Sequence, residues 1–206
     1  MKQYFSILAV LILCSSVTTL KAQIVIIPDA NFKAYLLNNT TVDANNDFEV
    51  QLSEAQNFTG HINLINLNIT DVTGLEEFTQ LSRFSAQTVP ITSLDLSANT
   101  MLTDLVCTST SITSLDLSNN VNLARLRCQL LDITELDLSN NSNLVEVLLN
   151  NDSLLTTLNI RNGNNSAIIN TAFFVNNNPL LQCIEVDSVA YSVANWTNID
   201  AGVVFS

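Results

Sequence analysis

Apolar and polar positions alternate along most of the chain, and the alternation returns at a fixed interval of 21 residues. Ile91-Thr92-Ser93-Leu94-Asp95-Leu96-Ser97 comes back as Ile112-Thr113-Ser114-Leu115-Asp116-Leu117-Ser118 and again as Ile133-Thr134-Glu135-Leu136-Asp137-Leu138-Ser139. A looser copy, Leu155-Thr156-Thr157-Leu158-Asn159-Ile160, follows after 22. Between the copies lies a second recurring half: Leu102-x-x-Leu105-x-Cys107, Leu123-x-x-Leu126-x-Cys128 and Leu144-x-x-Val147-x-Leu149. A period of this length marks a solenoid in which each copy is one coil stacked on the next.

Within each half the apolar residues fall at every second place, the period of a half-buried strand. No stripe at i, i+3 and i+4 runs long enough for a helix, so each coil is predicted to hold two short strands joined by turns. Ser97-Ala98-Asn99, Ser118-Asn119-Asn120 and Ser139-Asn140-Asn141 are expected to make those turns, since Asn tolerates the left-handed backbone and can bond the main chain through its side chain, and the chain has only four Gly. One coil cannot bury both of its open faces, so the array needs neighbours and capped ends.

The same arithmetic yields outward columns. Arg83, Asp104, Arg125 and Glu146 form one, with charges alternating from rung to rung and close enough to pair side by side. Ser85, Val106, Arg127 and Leu148 form the next, followed by Gln87, Thr108, Gln129 and Asn150. Exposed Val, Leu and Arg among polar groups have the composition of a recognition surface, although no aromatic anchor is found at this spacing. On the other half of the coil Asp95, Asp116, Asp137 and Asn159 stack, with solvent and nearby hydroxyls, or a cation, to relieve their repulsion. Cys107 and Cys128 share a core column and are expected to be reduced, because stacked parallel residues seldom reach disulfide torsions.

The chain ends differ from the middle. Residues 1–22 read as a secretory signal, with Lys2, an apolar run from Phe5 to Leu13 and cleavage near Ala22; Cys14 raises a lipid anchor as the alternative. Residues 23–60 are expected to form an amino-terminal cap, with a short helix after the N-cap residue Asp29 and Ala30, Ala34, Tyr35 and Leu37 on its apolar side. Asp43-x-Asn45-x-Asp47-Phe48-Glu49, ending on Glu54, matches a twelve-residue calcium loop whose ligands would be Asp43, Asn45, Asp47, the Glu49 carbonyl and Glu54. Phe48 stands where that loop needs Gly, so a loop that keeps the shape without the metal is the competing reading. The solenoid runs over 61–182, and 183–206 form a carboxy-terminal cap with a short helix and Trp196 in its core. His61, the single histidine, is read as a surface residue.

The Leu-x-x-Leu-x-Cys/Leu halves resemble the leucine-rich repeat family, and the alternation with Leu-Asp-Leu-Ser-x-Asn halves is similar to that of secreted repeat proteins of the Bacteroidetes. The resemblance implies a leucine-rich repeat solenoid in the α/β horseshoe class, here rich in short strands, that binds ligands on its parallel strand face. It also implies an internalin-like helical cap built on a truncated calcium-loop shape. Such chains often continue into a further Cys and a surface-sorting domain, which would give Cys183 a partner past Ser206.

Composition narrows the function. The net charge is −12, and removal of Lys2 and Lys21 with the leader would leave 5 basic against 19 acidic side chains, a net of −14. Nucleic acid and anionic membranes are poor partners for such a surface. One His, no Gly-x-Ser-x-Gly, no phosphate loop and no zinc-spaced Cys set argue against an enzyme. The sequence is therefore read as a monomeric, exported, non-catalytic binding module for a protein or a surface polysaccharide, needing no cofactor and with Ca²⁺ as its one candidate ion. The alternative is a structural spacer in a larger surface protein, its cap stiffened by Ca²⁺. The candidate ligand-binding face is Arg83, Ser85, Asp104, Val106, Thr108, Arg125, Arg127, Gln129, Glu146 and Leu148.

Overall fold

Each Leu-x-x-Leu-x-Cys/Leu half becomes a strand of one parallel sheet, because its alternate residues can then face a common core. The computed structural model describes residues 22–206, so the expected leader, Cys14 included, lies outside the described residues except for Ala22. The first sheet holds β1 (His61–Ile65), β2 (Arg83–Gln87), β3 (Asp104–Thr108), β4 (Arg125–Gln129), β6 (Glu146–Leu148) and β8 (Phe173–Phe174), in the order β1-β2-β3-β4-β6-β8. A second sheet, on the other half of the coils, holds β5 (Glu135–Asp137), β7 (Thr157–Asn159), β9 (Cys183–Glu185) and β10 (Val204–Phe205), in the order β10-β9-β7-β5.

Register follows the repeat. Phe84, Leu105, Leu126, Val147 and Phe173 stack as one inward column, and Ala86, Cys107 and Cys128 as another. Nearly all of the repeat's Leu, Ile and Val positions are fully buried, in one core that runs from the amino-terminal cap to Trp196. No described helix is long and apolar enough to cross a membrane.

The strand face begins at β1, which pairs with β2 over its whole length. Elsewhere the structure departs from the sequence reading. Two strands per coil form only in the later coils. Leu94, Leu96, Leu115 and Leu117 are buried as expected, but their segments join no ladder. A stack held at ladder spacing (~4.8 Å) along one side can fan open along the other.

The expected turns form at Ser97-Ala98, Ser118-Asn119 and Ser139-Asn140, each closed by the N–H of the following Asn on the carbonyl of the Leu three residues before it, but none uses a left-handed Asn. Asn99, Asn120 and Asn141 are fully buried rather than left-handed. The Asn120 side-chain amide donates to the carbonyls of Leu96 and Asn99 in the preceding coil, at 3.0 Å each, and Asn141 repeats this with Leu117 and Asn120. The left-handed place instead follows each strand, at Asn66, Thr88, Ser109, Leu130, Asn151 and Asn177.

In the amino-terminal cap, α1 (Ala30–Leu37) starts where expected, with the Asp29 carboxylate accepting from the backbone N–H of Asn31 and Phe32. Its buried residues are Phe32 and Leu36, not Ala30 and Ala34. A second helix, α2 (Leu52–Asn57), follows the calcium-like loop and opens on a reciprocal Gln51–Glu54 cap. At the other end α3 (Val189–Asn195) leads into Trp196, whose ring stacks on Phe173 with centroids 4.0 Å apart. The indole N–H donates to the Ile168 carbonyl at 2.8 Å, which makes Trp196 the centre of the closing cap.

Candidate functional site

The registers place the expected columns side by side on the outer face of the first sheet. Arg83, Asp104, Arg125 and Glu146 are aligned across β2, β3, β4 and β6. Ser85, Val106, Arg127 and Leu148 are aligned two residues further along, with Gln87, Thr108 and Gln129 beyond. Gln129 donates its amide to Asn150 at 2.6 Å, which ties the last polar column together.

The charges on this face do not pair simply along their column. Asp104 sits between two arginines, in contact with Arg125 and 3.9 Å from Arg83. Burial would raise the Asp104 carboxyl, but the hydrogen bonds from Arg125 and Thr103 and the charges of Arg125 and Arg83 hold it below the usual range. Glu146 turns away from Arg125 opposite it and forks onto Arg127, which donates from Nε and from a terminal nitrogen at 3.0 Å. Asp104 already satisfies Arg125, and the planar guanidinium of Arg127 matches the Glu146 carboxylate in two-point geometry. The hydrogen bond from Arg127 to Glu146 also raises the guanidinium pKa.

Two placements change the candidate face. Ser85 is outward in register but only 4% exposed, and its hydroxyl lies 2.8 Å from Nε2 of His61 on β1. It is covered by its neighbours, and the accessible part of the face lies further along the solenoid. His61 is exposed, and burial of its ring and the Arg83 charge lower its pKa against the pull of Asp104.

The second change is Phe174. It pairs in register with Leu148, so the column continues as Val106, Arg127, Leu148, Phe174. Phe174 is half-buried and faces out, while Phe173 faces in. Sequence arithmetic missed it because the step from Leu148 is 26 residues, lengthened by the loop from Arg161 to Ala172. The adjacent pair Phe173-Phe174 followed by the inward Val175 carried a strand signal that the 21-residue frame passed over.

The calcium-like loop keeps its turn. Asp43 accepts from the N–H of Asp47 and Phe48, Asn45 from Asp47, and Asp47 from Glu49. Phe48 adopts φ +66 with its ring exposed. The oxygen donors suit a hard cation, but both Glu54 oxygens accept backbone N–H groups, from Ala44 and Gln51. The second Asp47 oxygen accepts the side-chain amides of Gln51 and Asn45. Amide nitrogens thus surround the oxygens that a metal would need, and the Glu49 carboxylate is taken by Lys33 at 2.6 Å. Among the described residues no three His, Cys, Asp or Glu side chains are placed together to hold a metal ion.

The aspartate column on the second face is stabilised locally. Asp95, Asp116 and Asp137 each accept the N–H of the serine two residues on, at 2.9 Å, which closes the turn that follows. The bonds from Ser97 and Ser118 hold Asp95 and Asp116 below the usual carboxylate range. Cys107 and Cys128 are free and fully buried on adjacent rungs, and Cys183 is free beside the Ser206 hydroxyl at 3.1 Å.

One buried charge escaped the sequence reading. Asp152 is fully buried, with one oxygen accepting the Leu131 N–H at 2.8 Å and the other unpartnered. Burial pushes its carboxyl up to about 6.

No protein-family model matches this sequence, and no curated protein matches it. Among solved structures, an internalin of Listeria monocytogenes, InlF, superimposes with a TM-score of 0.52 at 16% identity, over 88% of this chain and 58% of that one. The functional domain of InlJ, described as including a cysteine ladder, gives 0.49 at 23% identity, over 82% and 39%. Internalin C2 gives 0.42 at 18% identity, over 88% and 98%. The chain therefore spans 39% and 58% of the first two. At these identities the likeness to InlF is one of fold: this chain folds as a leucine-rich repeat solenoid, rich in short parallel strands.

Proposed function

We propose that the protein is an exported, non-catalytic binding module that recognises a protein or a surface polysaccharide through the outer face of its first sheet. The observation that carries this reading is the continuous column Val106, Arg127, Leu148 and Phe174, flanked by Thr108 and Gln129. Half-buried Val, Leu and Phe beside exposed Arg supply the apolar centre and polar rim of an interface. The face also gathers three of the protein's four arginines. The test is a screen of the purified protein against extracellular proteins and polysaccharides, scored for saturable binding. Saturable binding that a strand-face substitution removes supports the reading, and its absence across the screen removes it.

A second reading, a spacer in a larger surface protein with a calcium-stiffened cap, is favoured by the calcium-loop turn that Asp43, Asn45 and Asp47 retain. The two readings differ on metal. The binding-module reading requires no cation, and the N–H groups that bond the loop's carboxylates support it. In the spacer, Ca²⁺ on Asp43, Asn45, Asp47, the Glu49 carbonyl and Glu54 would displace those bonds and raise the melting point.

A further inference from the structure

The second face carries a feature that strand-face binding does not use. A groove of about 740 Å³ runs across the coils there, with Ser114, Asp116, Glu135, Asp137, Thr157 and Glu185 on its walls. The register of β5, β7 and β9 aligns Glu135 with Thr157, and Asp137 with Asn159 and Glu185, so carboxylates and hydroxyls form two parallel rows along it. One side of the groove is β5, the edge strand of its sheet, and the other is the 113–118 segment, which joins no ladder.

The charge of this groove is not balanced from within the described protein. Five basic side chains lie in the described residues, and each is within 4 Å of a carboxylate: Lys33 with Glu49, Arg83 and Arg125 with Asp104, Arg127 with Glu146, Arg161 with Glu185. Asp116, Glu135 and Asp137 are exposed and take part in none of these pairs. Asp116 and Asp137 each engage one oxygen in their own turn, which leaves the second to face a partner. Of the groove's four carboxylates only Glu185 has a cationic partner, and the other three face solvent.

We propose that this groove docks an extended, lysine- or arginine-rich peptide segment of a partner protein. The length fits: the laddered rungs β5, β7 and β9 at ~4.8 Å span about 10 Å and the 113–118 segment lengthens the groove by a further rung, which four to five extended residues cover at ~3.3 Å each. Basic side chains would reach the carboxylate row, and the Ser114 and Thr157 hydroxyls would meet the peptide's backbone. A groove of this size and elongation is far larger than a single ion requires. The site is separate from the strand face and does not depend on that reading.

The test is fluorescence anisotropy of a labelled, end-capped ten-residue peptide alternating lysine and serine, with its glutamate-serine counterpart as control. Saturable binding of the lysine peptide alone is expected, weakening as salt rises. Glu135→Gln/Asp137→Asn is expected to weaken it at least tenfold while the fold is kept, since Asn159 closes the same turn one coil on, accepting the Arg161 N–H at 3.0 Å. Asp71→Asn/Glu77→Gln removes the same charge away from the groove and is expected to leave binding unchanged. No saturable binding overturns the proposal. So does equal loss in both variants, which reports net charge alone, and so does binding that survives the groove variant.

Discussion

Arg127 on β4 binds Glu146 on β6 across a diagonal, although Arg125 is the residue opposite Glu146 in the ladder. All three arginines of the strand face lie beside a carboxylate, and any ligand meets Arg125 and Arg127 as dipolar pairs rather than as free cations. Arg127→Glu is expected to set two carboxylates against each other and cost about 1 kcal/mol, the upper range for an exposed pair. Arg127→Glu/Glu146→Arg should recover that stability without recovering ligand binding, because the apolar column then runs beside the opposite charge. Thermal melts of both variants, alongside binding, separate the structural role from the recognition role.

Leu130 occupies the left-handed place after β4 at φ +57 with its side chain 51% exposed. Asn66, Asn151 and Asn177 fill the equivalent place in other coils. The left-handed conformation costs a branched or bulky L-residue roughly 1–2 kcal/mol, and Asn adopts it more readily. Leu130→Asn is predicted to raise stability by about 1 kcal/mol in urea unfolding, with an unchanged m-value.

The buried asparagines carry the opposite expectation. Asn120 supplies two hydrogen bonds to carbonyls of the preceding coil from a fully buried position. Asn120→Ala removes both donors and leaves the carbonyls without partners, at about 1–3 kcal/mol for each buried group. A loss of several kcal/mol in chemical denaturation is the expected result, larger than that for Asn119→Ala on the exposed side of the same turn.

Asp152 sets the pH dependence. Its carboxyl is raised from 3.8 to about 6 in the folded protein. A raised pKa means that the folded state holds the proton more tightly than the unfolded state. The resulting stabilisation is fully present below about 4 and is lost as pH rises through 6. Asp29, Asp95, Asp104 and Asp116 are shifted down, so their contribution fades only as pH falls below the ordinary carboxylate value. Stability should peak between pH 4 and 5 and decline by on the order of 2 kcal/mol towards pH 7.5. Asp152→Asn should flatten that decline, which denaturant titrations at several pH values would show.

Much of this was legible in the chain because stacking makes each coil repeat its neighbour's chemistry. The columns through Arg83, Ser85 and Gln87 followed from counting 21 residues, and the register bears that count out from β2 to β6. Counting failed where the backbone stepped outside the frame. Phe174 joins the face only because the loop after Arg161 is taken up outside the sheet. Asn120 closes its expected turn but is not left-handed, because its buried amide bridges coils, and the left-handed place falls after the strand at residues such as Leu130 with no special liking for it. Exposure was also beyond counting, since Ser85 and Arg127 share a column and differ in what covers them.

The most direct measurement is the affinity, for a ligand found by the screen, of the parent protein and of Leu148→Ser/Phe174→Ser. Phe174 is half-buried and Leu148 is not a core residue, so circular dichroism should show the solenoid retained. Loss of binding by tenfold or more with the fold intact is the predicted result. Undiminished binding in that variant would contradict the account and remove the strand face as the site of recognition.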